Sequence, residues 1–247
     1  MKIYSGFAKI YDALMFDAPY DDWTAQIDKW ISKKQKCSGK KIVLDLGCGT
    51  GSMSVRLSKK EYSVIGVDSS SDMLSAAYEK AQTCGENILF INQDIKELDL
   101  YGSVHAAISV CDVMNYILDA CSLQRVFARV HLFLNPGGVF IFDMNTEYKF
   151  KDKMGNKTYK GTGPGGESYV WENKYYHAMK INEYNVTFNN GQNNKIFHER
   201  HFQKAYDCQL VENLLKKTGF HSVEIKNGYT NEPFDEKSIR AVFIAIK

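Results

Sequence analysis

Apolar residues change their spacing along the chain, and each change marks a change of structure. From Gly6 to Met15, the residues Phe7, Ile10, Tyr11, Leu14 and Met15 recur at helical intervals and form one stripe. A second stripe of Trp23, Ile27, Trp30 and Ile31 follows the acidic pair Asp21 and Asp22, whose charges suit the positive end of a helix dipole. Two amphipathic helices are therefore predicted at the start.

After Ser38-Gly39 the pattern turns to short apolar runs, Ile42 to Leu46, Val64 to Val67, Ile88 to Ile91, Ala106 to Val110 and Val139 to Phe142. Between them lie helical patterns such as Met73-Leu74-Ala76-Ala77-Ala81 and Leu123-Phe127-Val130-Leu134. Strands that are apolar on both faces must be covered on both faces, so these repeated βαβ units predict a doubly wound, mostly parallel sheet.

The rhythm breaks at Asn145. Six glycine and proline positions between 151 and 166 predict a loop. Three strand-like runs follow, Ser168 to Tyr176, Ile181 to Phe188 and Lys195 to Tyr206, the last two parted by the turn signal Asn190-Gly191. They predict an inserted antiparallel β lobe. Helix and sheet patterns then resume with Leu210, Leu214 and Leu215, the stop at Gly219, Val223 to Ile225, and a closing strand from Ala241 to Ile246. The expected division is a helical lid over 1–36, a core over 37–147 and 207–247, and a lobe over 148–206 that covers a substrate or pairs two subunits.

Composition narrows the partners. With 31 basic and 29 acidic side chains in 247 residues, the chain has no field that calls for nucleic acid. No stretch has the length of a membrane span and no secretory leader is visible, and the six cysteines lack paired spacing, which suits a reducing, cytoplasmic setting.

The chemistry begins at VLDLGCGTG, residues 43 to 51. A strand that runs into alternate glycines before a helix lets backbone amides approach a ligand closely. The glycines at 47, 49 and 51 depart from the dinucleotide spacing G-x-G-x-x-G, and the preceding Asp45 would repel a diphosphate but attract an ammonium group. The next strand ends in Asp68, 21 positions after Gly47, where a carboxylate can accept both hydroxyls of a ribose; Ser69 to Ser71 stand ready to cap the helix instead. An amine-bearing nucleoside is the expected ligand.

With these elements the sequence resembles a class I S-adenosylmethionine-dependent methyltransferase. The resemblance also rests on GVDSSSDML at 66–74, NQDIKEL at 92–98, SVCDVMNYI at 109–117, NPGGVFIFD at 135–143 and Lys217-Thr218-Gly219-Phe220, all in the family's order. It implies a seven-stranded Rossmann-like sheet and S-adenosyl-L-methionine as cofactor. Gly47, Cys48, Gly49 and Gly51 would then wrap the methionine part and Asp45 would hold its ammonium. Asp68 would take the ribose, with Ser69 and Met73 beside the adenine, while Asp94 and the Ile95 backbone would read the adenine edge. Cys111 and Asp112 would line the methionine side. The start of the chain, Tyr4, Phe7, Ala8, Tyr11 and Asp12, resembles a smaller subset of the family in which Tyr4 and Tyr11 would close over the cofactor.

Acceptor-pocket candidates are Tyr11, Asn115, Tyr116, His177 and His201, with Glu199 a further possible base. No catalytic residue is assigned, because transfer from a sulfonium needs alignment more than acid–base chemistry. His198-Glu199-Arg200-His201 lacks the H-E-x-x-H spacing, and in a strand His198 and His201 point to opposite faces, so no metal site is expected. The segment after the fourth strand carries no proline, unlike that of some enzymes that methylate flipped bases. The expected reaction is methyl transfer to nitrogen or oxygen of a small molecule by a monomer or homodimer, the alternatives being RNA or protein methylation and a nucleoside-binding module without catalysis.

Overall fold

The computed structural model describes residues 8, 11–12, 15–34, 39–163, 166–189 and 196–247. Of the first predicted helix, Ala8, Tyr11 and Asp12 are helical and residues 15–17 form a turn; the rest of it, Tyr4 included, lies outside the described residues, as does the Asn190-Gly191 turn. The second predicted helix is α1 (Tyr20–Lys34), with Asp21 and Asp22 in its first turn and Lys33 and Lys34 in its last, both favourable to the dipole.

Alternation of βαβ units builds a seven-stranded sheet. Its elements are β1 (Ile42–Leu46), α2 (Ser52–Ser58), β2 (Ser63–Asp68), α3 (Ser71–Thr83), β3 (Leu89–Asn92), β4 (Val104–Ser109), α4 (Ala120–Phe133) and β5 (Leu134–Asn145). After the lobe come α5 (Cys208–Lys217), β10 (Ser222–Asn227) and β11 (Arg240–Ile246). The strand order is β10-β11-β5-β4-β1-β2-β3; β11 runs antiparallel to β5 and β10, and the remaining pairs are parallel. The expected α/β fold with a Rossmann-like sheet is present.

Period-two side chains give each face its own core. Phe140, Phe142 and Phe243 face α4 and α5, where Phe127, Val211 and Leu215 are fully buried. Val139, Ile141 and Val242 face the other way, toward Ile27 and Ile31 of α1 and Leu57 of α2. Phe142 and Phe243 are register partners and stack at 4.9 Å. Each fully buried side chain of this size stabilises the fold by about 1.5–3 kcal/mol.

The second sheet, in the order β6-β7-β8-β9, is β6 (Thr158–Thr162), β7 (Ser168–Tyr176), β8 (Ile181–Asn189) and β9 (Ile196–Lys204), all antiparallel. Here the sequence reading needs correction: residues 151–166 are not simply a loop. A π-helical turn over Lys149–Met154 leads into β6. Gly161, which read as a loop residue, lies in this edge strand because a Cβ there would stand 2.6 Å from the ring of its cross-strand partner Tyr169. The glycine makes room for an aromatic ring.

A seam joins β9 and the residues just after it to the segment following β4. The Gln203 side chain donates to Asp112 at 2.5 Å, Asn115 donates to the Lys204 carbonyl at 2.8 Å, and the Tyr206 hydroxyl donates to the Ile117 carbonyl at 2.6 Å. Tyr116 meets His201 at 3.1 Å and also Tyr184 of β8. Among the described residues no helix is long and apolar enough to cross a membrane, and no cluster of three metal-ligating side chains occurs.

Candidate active site

The ends of β1, β2 and β4 open onto a cleft of about 710 Å3, the place where parallel strands of a doubly wound sheet present their ligands. The glycine loop forms one wall. Gly47 has φ +67°, and a Cβ on it would fall 2.6 Å from Val113, so only glycine fits there. Gly49, at φ +53°, has open space where a Cβ would be and borders the cleft. Gly51 is different: it is absent from the cleft lining, and a Cβ there would meet Ala77 at 3.0 Å. Its task is to let α2 and α3 approach.

Asp68 stands at the end of β2 and lines the cleft. Its Oδ2 accepts the Gly49 amide at 2.9 Å and its Oδ1 accepts the Ser70 amide at 2.8 Å. Burial raises its pKa and the amide bonds oppose the rise. The helix-capping task falls to Ser70, whose hydroxyl accepts from Met73. Asp68 is thus left at the cleft surface, beside Ser69 and the buried Met73. Asp94 and Ile95 line the far end, and Asp94 also caps a short 3₁₀ turn by accepting the Lys96 amide at 2.9 Å.

A recess of about 40 Å3 adjoins the loop, bordered by Asp45, Cys48, Tyr11, Tyr20 and Cys111. Asp45 is 2% exposed and accepts from the Ser54 hydroxyl at 2.6 Å. Burial pushes its carboxyl up to about 7, with Asp68 adding to the rise and Ser54 opposing it. Burial likewise holds the Cys48 and Cys111 thiols and the Tyr20 phenol well above their ordinary ranges, so all three remain protonated. Tyr20, which follows the N-terminal aromatic pattern in the sequence but is not among the site candidates, opens α1, and packing of that helix on the sheet brings it here.

Of the acceptor candidates, Tyr11 and Tyr116 line the cleft. His201 is buried behind Tyr116, stacked on Tyr184 at 4.7 Å. Its burial lowers its pKa to about 4, against a smaller upward pull from Asp112, so the ring is neutral at physiological pH. His198 lies on the exposed side of the same strand, as alternation requires. Asp112 and Asn115 are structural in this arrangement and do not line the cleft. The Asn115 amide bridges the Asn145 backbone and the Lys204 carbonyl, while Asp112 accepts from Gln203. His177 sits in the exposed turn between β7 and β8, against Tyr175, away from the cleft lining. Val113, Ile117 and Phe202 complete the cleft; their apolar character carried no signal in the sequence that separates a wall from a core.

A glycine-lined loop that brings its backbone to the cleft, a surface carboxylate at the end of β2 and a recessed acid fit a nucleoside carrying an amino-acid tail. The comparisons with known proteins agree. A family described as a methyltransferase domain matches residues 43–138. The methyltransferase-family protein YqeM of Bacillus subtilis (strain 168) is 33% identical over 99% of this chain and 97% of its own length. An S-adenosylmethionine-dependent methyltransferase from Clostridium acetobutylicum ATCC 824 has the same fold at a TM-score of 0.86, with 29% identity over 98% of each chain. A sugar N-methyltransferase from Streptoalloteichus sp ATCC 53650 shares the fold at a TM-score of 0.77 over 100% of this chain and 93% of its own, at 17% identity. Similarity over nearly the whole length, together with the glycine loop and its facing carboxylate, places the chain in the class I S-adenosylmethionine-dependent methyltransferases.

Proposed function

We propose that this enzyme transfers the methyl group of S-adenosylmethionine to a nitrogen or oxygen of a small molecule. The observation that carries the reading is the direction in which the lobe faces. Tyr169, Trp171 and Tyr184 pack with Phe188 in one apolar cluster with the cleft residues Tyr11, Met73 and Tyr116, and Phe202 of the lobe lines the cleft itself, so the lobe is turned onto its own core beside the cleft. That arrangement leaves a roofed chamber suited to a compact acceptor, whereas a polynucleotide would need an open basic groove. The sugar N-methyltransferase likeness supports the same class of acceptor.

In this reading the residues divide the cofactor among them. Gly47, Cys48 and Gly49 hold the methionine part, and Asp45 in its recess takes the ammonium, with Tyr11 and Tyr20 closing over it. Asp68 accepts the ribose hydroxyls, Ser69 and Met73 flank the adenine, and Asp94 with the Ile95 backbone reads its edge. Cys111 borders the sulfur. Gly51 and Asp112 shape this site from outside the cleft. The bound cofactor supplies a methyl group already activated on a sulfonium. The chain's share is to exclude water and align the acceptor, which alone can contribute several kcal/mol. Tyr116, held between Tyr184 and the neutral His201, offers an uncharged hydrogen-bonding partner to the acceptor. Of the expected lid over 1–36, α1 belongs to the core layer, so the lid role falls to the segment before it, and 148–206 serve as the roof.

Purified enzyme with methyl-labelled S-adenosylmethionine and separate panels of amino sugars, other amines, phenols, total RNA and protein extract tests the proposal. Label is expected in a small amine or hydroxyl compound. Label confined to RNA or protein, or no transfer to any panel despite cofactor binding, overturns it.

A further inference from the structure

Cys111 and Asp112 follow β4 with φ +65° and +54°, two successive non-glycine residues in the left-handed region. Such a conformation persists only where surrounding contacts over-determine it. Cys111 forms a wall common to the cleft and the recess, so whatever fixes Asp112 fixes that wall.

The contacts on Asp112 come from three directions. Its amide donates to Asp143 Oδ1 of β5 at 2.7 Å. Its carboxylate lies 3.4 Å from the Arg240 guanidinium of β11, which also pairs with the fully buried Asp143. The third contact is the short bond from Gln203 Nε2 to Asp112 Oδ2, 2.5 Å long. Asp143 and Arg240 belong to the same sheet as β4, and their contacts are made within the core. Gln203 belongs to the roof, is 2% exposed, and reaches across the seam. Asp112 is partly buried, its side chain 19% exposed, and lies beside the fully buried Asp143, so removing a donor that reaches it from the roof leaves its carboxylate under-satisfied and loosens its hold on the backbone.

We infer that Gln203 is a positioning residue for the cofactor: through Asp112 it holds the strained Cys111 wall in its binding shape, so the roof sets the grip on the cofactor as well as the choice of acceptor. This rests on the assignment of the cofactor to the cleft beside Cys111.

Calorimetric titration of the full chain with S-adenosylhomocysteine tests the inference. Gln203→Ala and Gln203→Glu are each expected to weaken binding about tenfold or more, the size of a typical coupling between contacting residues. Combining Gln203→Glu with Asp112→Asn reverses donor and acceptor while keeping the charge of the cluster, and is expected to recover affinity to within about threefold of the original. Glu183→Gln serves as the control: it alters a buried acceptor on the opposite face of the lobe, bonded to Tyr176 and Arg200, and is expected to leave affinity unchanged. The inference is overturned if both Gln203 variants bind like the original chain, or if Glu183→Gln weakens binding as much as they do, which would mark a general effect of lobe stability. It is also overturned if the reversed pair binds no better than Gln203→Glu; this comparison decides the matter if Gln203→Ala does not fold. If the unaltered chain takes up no S-adenosylhomocysteine, the cofactor assignment itself fails; if Asp68→Ala weakens binding but the Gln203 variants do not, only the present inference falls.

Discussion

The backbone amide of Gly49 donates to the carboxylate of Asp68 across 2.9 Å, tying the glycine loop after β1 to the end of β2. One side chain therefore both fixes the loop and faces the cleft. Removing it tests both roles at once.

Asp68→Ala is expected to weaken S-adenosylhomocysteine binding by roughly 10- to 100-fold, the equivalent of the 1.5–3 kcal/mol typical of hydrogen bonds to a charged acceptor. Calorimetry reads the affinity, and a thermal melt shows that the fold survives. Unchanged affinity would remove the ribose assignment.

Two of the loop glycines, Gly49 and Gly51, should respond differently. Gly51→Ala combines a left-handed backbone with a Cβ 3.0 Å from Ala77, and is expected to destabilise the fold by about 1–3 kcal/mol in denaturant melts. At Gly49 the new methyl group meets open space in the protein, so Gly49→Ala should lose less stability and more cofactor affinity. Equal effects on both quantities in the two variants would contradict this division.

Asp45 makes stability fall with rising pH. Its folded pKa, about 7, lies above the ordinary 3.8, so the folded state keeps a proton that the unfolded chain releases. Stability from this group is complete below the unfolded pKa and is lost as pH rises through the folded one. Asp45→Asn should therefore gain stability relative to the original chain between about pH 4 and 7, by an amount on the order of a few kcal/mol at most. If the carboxylate also holds the cofactor ammonium, the same variant binds S-adenosylhomocysteine less well. A pH series of melts, with affinity measured at pH 8, checks both signs.

His201 acts in the opposite sense. With a folded pKa near 4 against an ordinary 6.5, it binds fewer protons when folded, so its contribution is full above the unfolded pKa and is lost as pH falls toward the folded one. His201→Gln, which keeps a hydrogen-bonding group for Tyr116, should flatten the loss of stability between about pH 6.5 and 4. Since the Asp45 and His201 effects oppose each other over that interval, each has to be read as variant minus original chain. An unchanged acid limb in His201→Gln would show that the ring is not held neutral.

The parts legible in the sequence are those whose local chemistry has few alternatives. Alternate glycines after an apolar strand announce the loop, and the turn to period-two spacing announces β7, β8 and β9 within a residue or two of their observed limits. The sequence leaves capping open between Asp68 and the serines at 69–71, and the structure gives it to Ser70. What remained hidden depends on the third dimension. Tyr20 reaches the recess only through the docking of α1, and Gln203 gives no sign in the sequence of the carboxylate it faces. His177 and His201 look alike as residues, yet one falls in the turn between β7 and β8 while the register of β8 against β9 sets the other opposite Tyr184, behind Tyr116. The strand β6 was concealed because an edge strand shows little alternation and because its glycine answers to a ring on a neighbouring strand.

Asp112, Asn115, Tyr116 and Ile117 fasten β9 and the residues just after it, so a foreign lobe grafted from a relative cannot behave as an interchangeable cassette. A chimera meant to accept new molecules has to carry both halves of that stitching, or its designer will trade away retention of the methyl donor while altering selectivity.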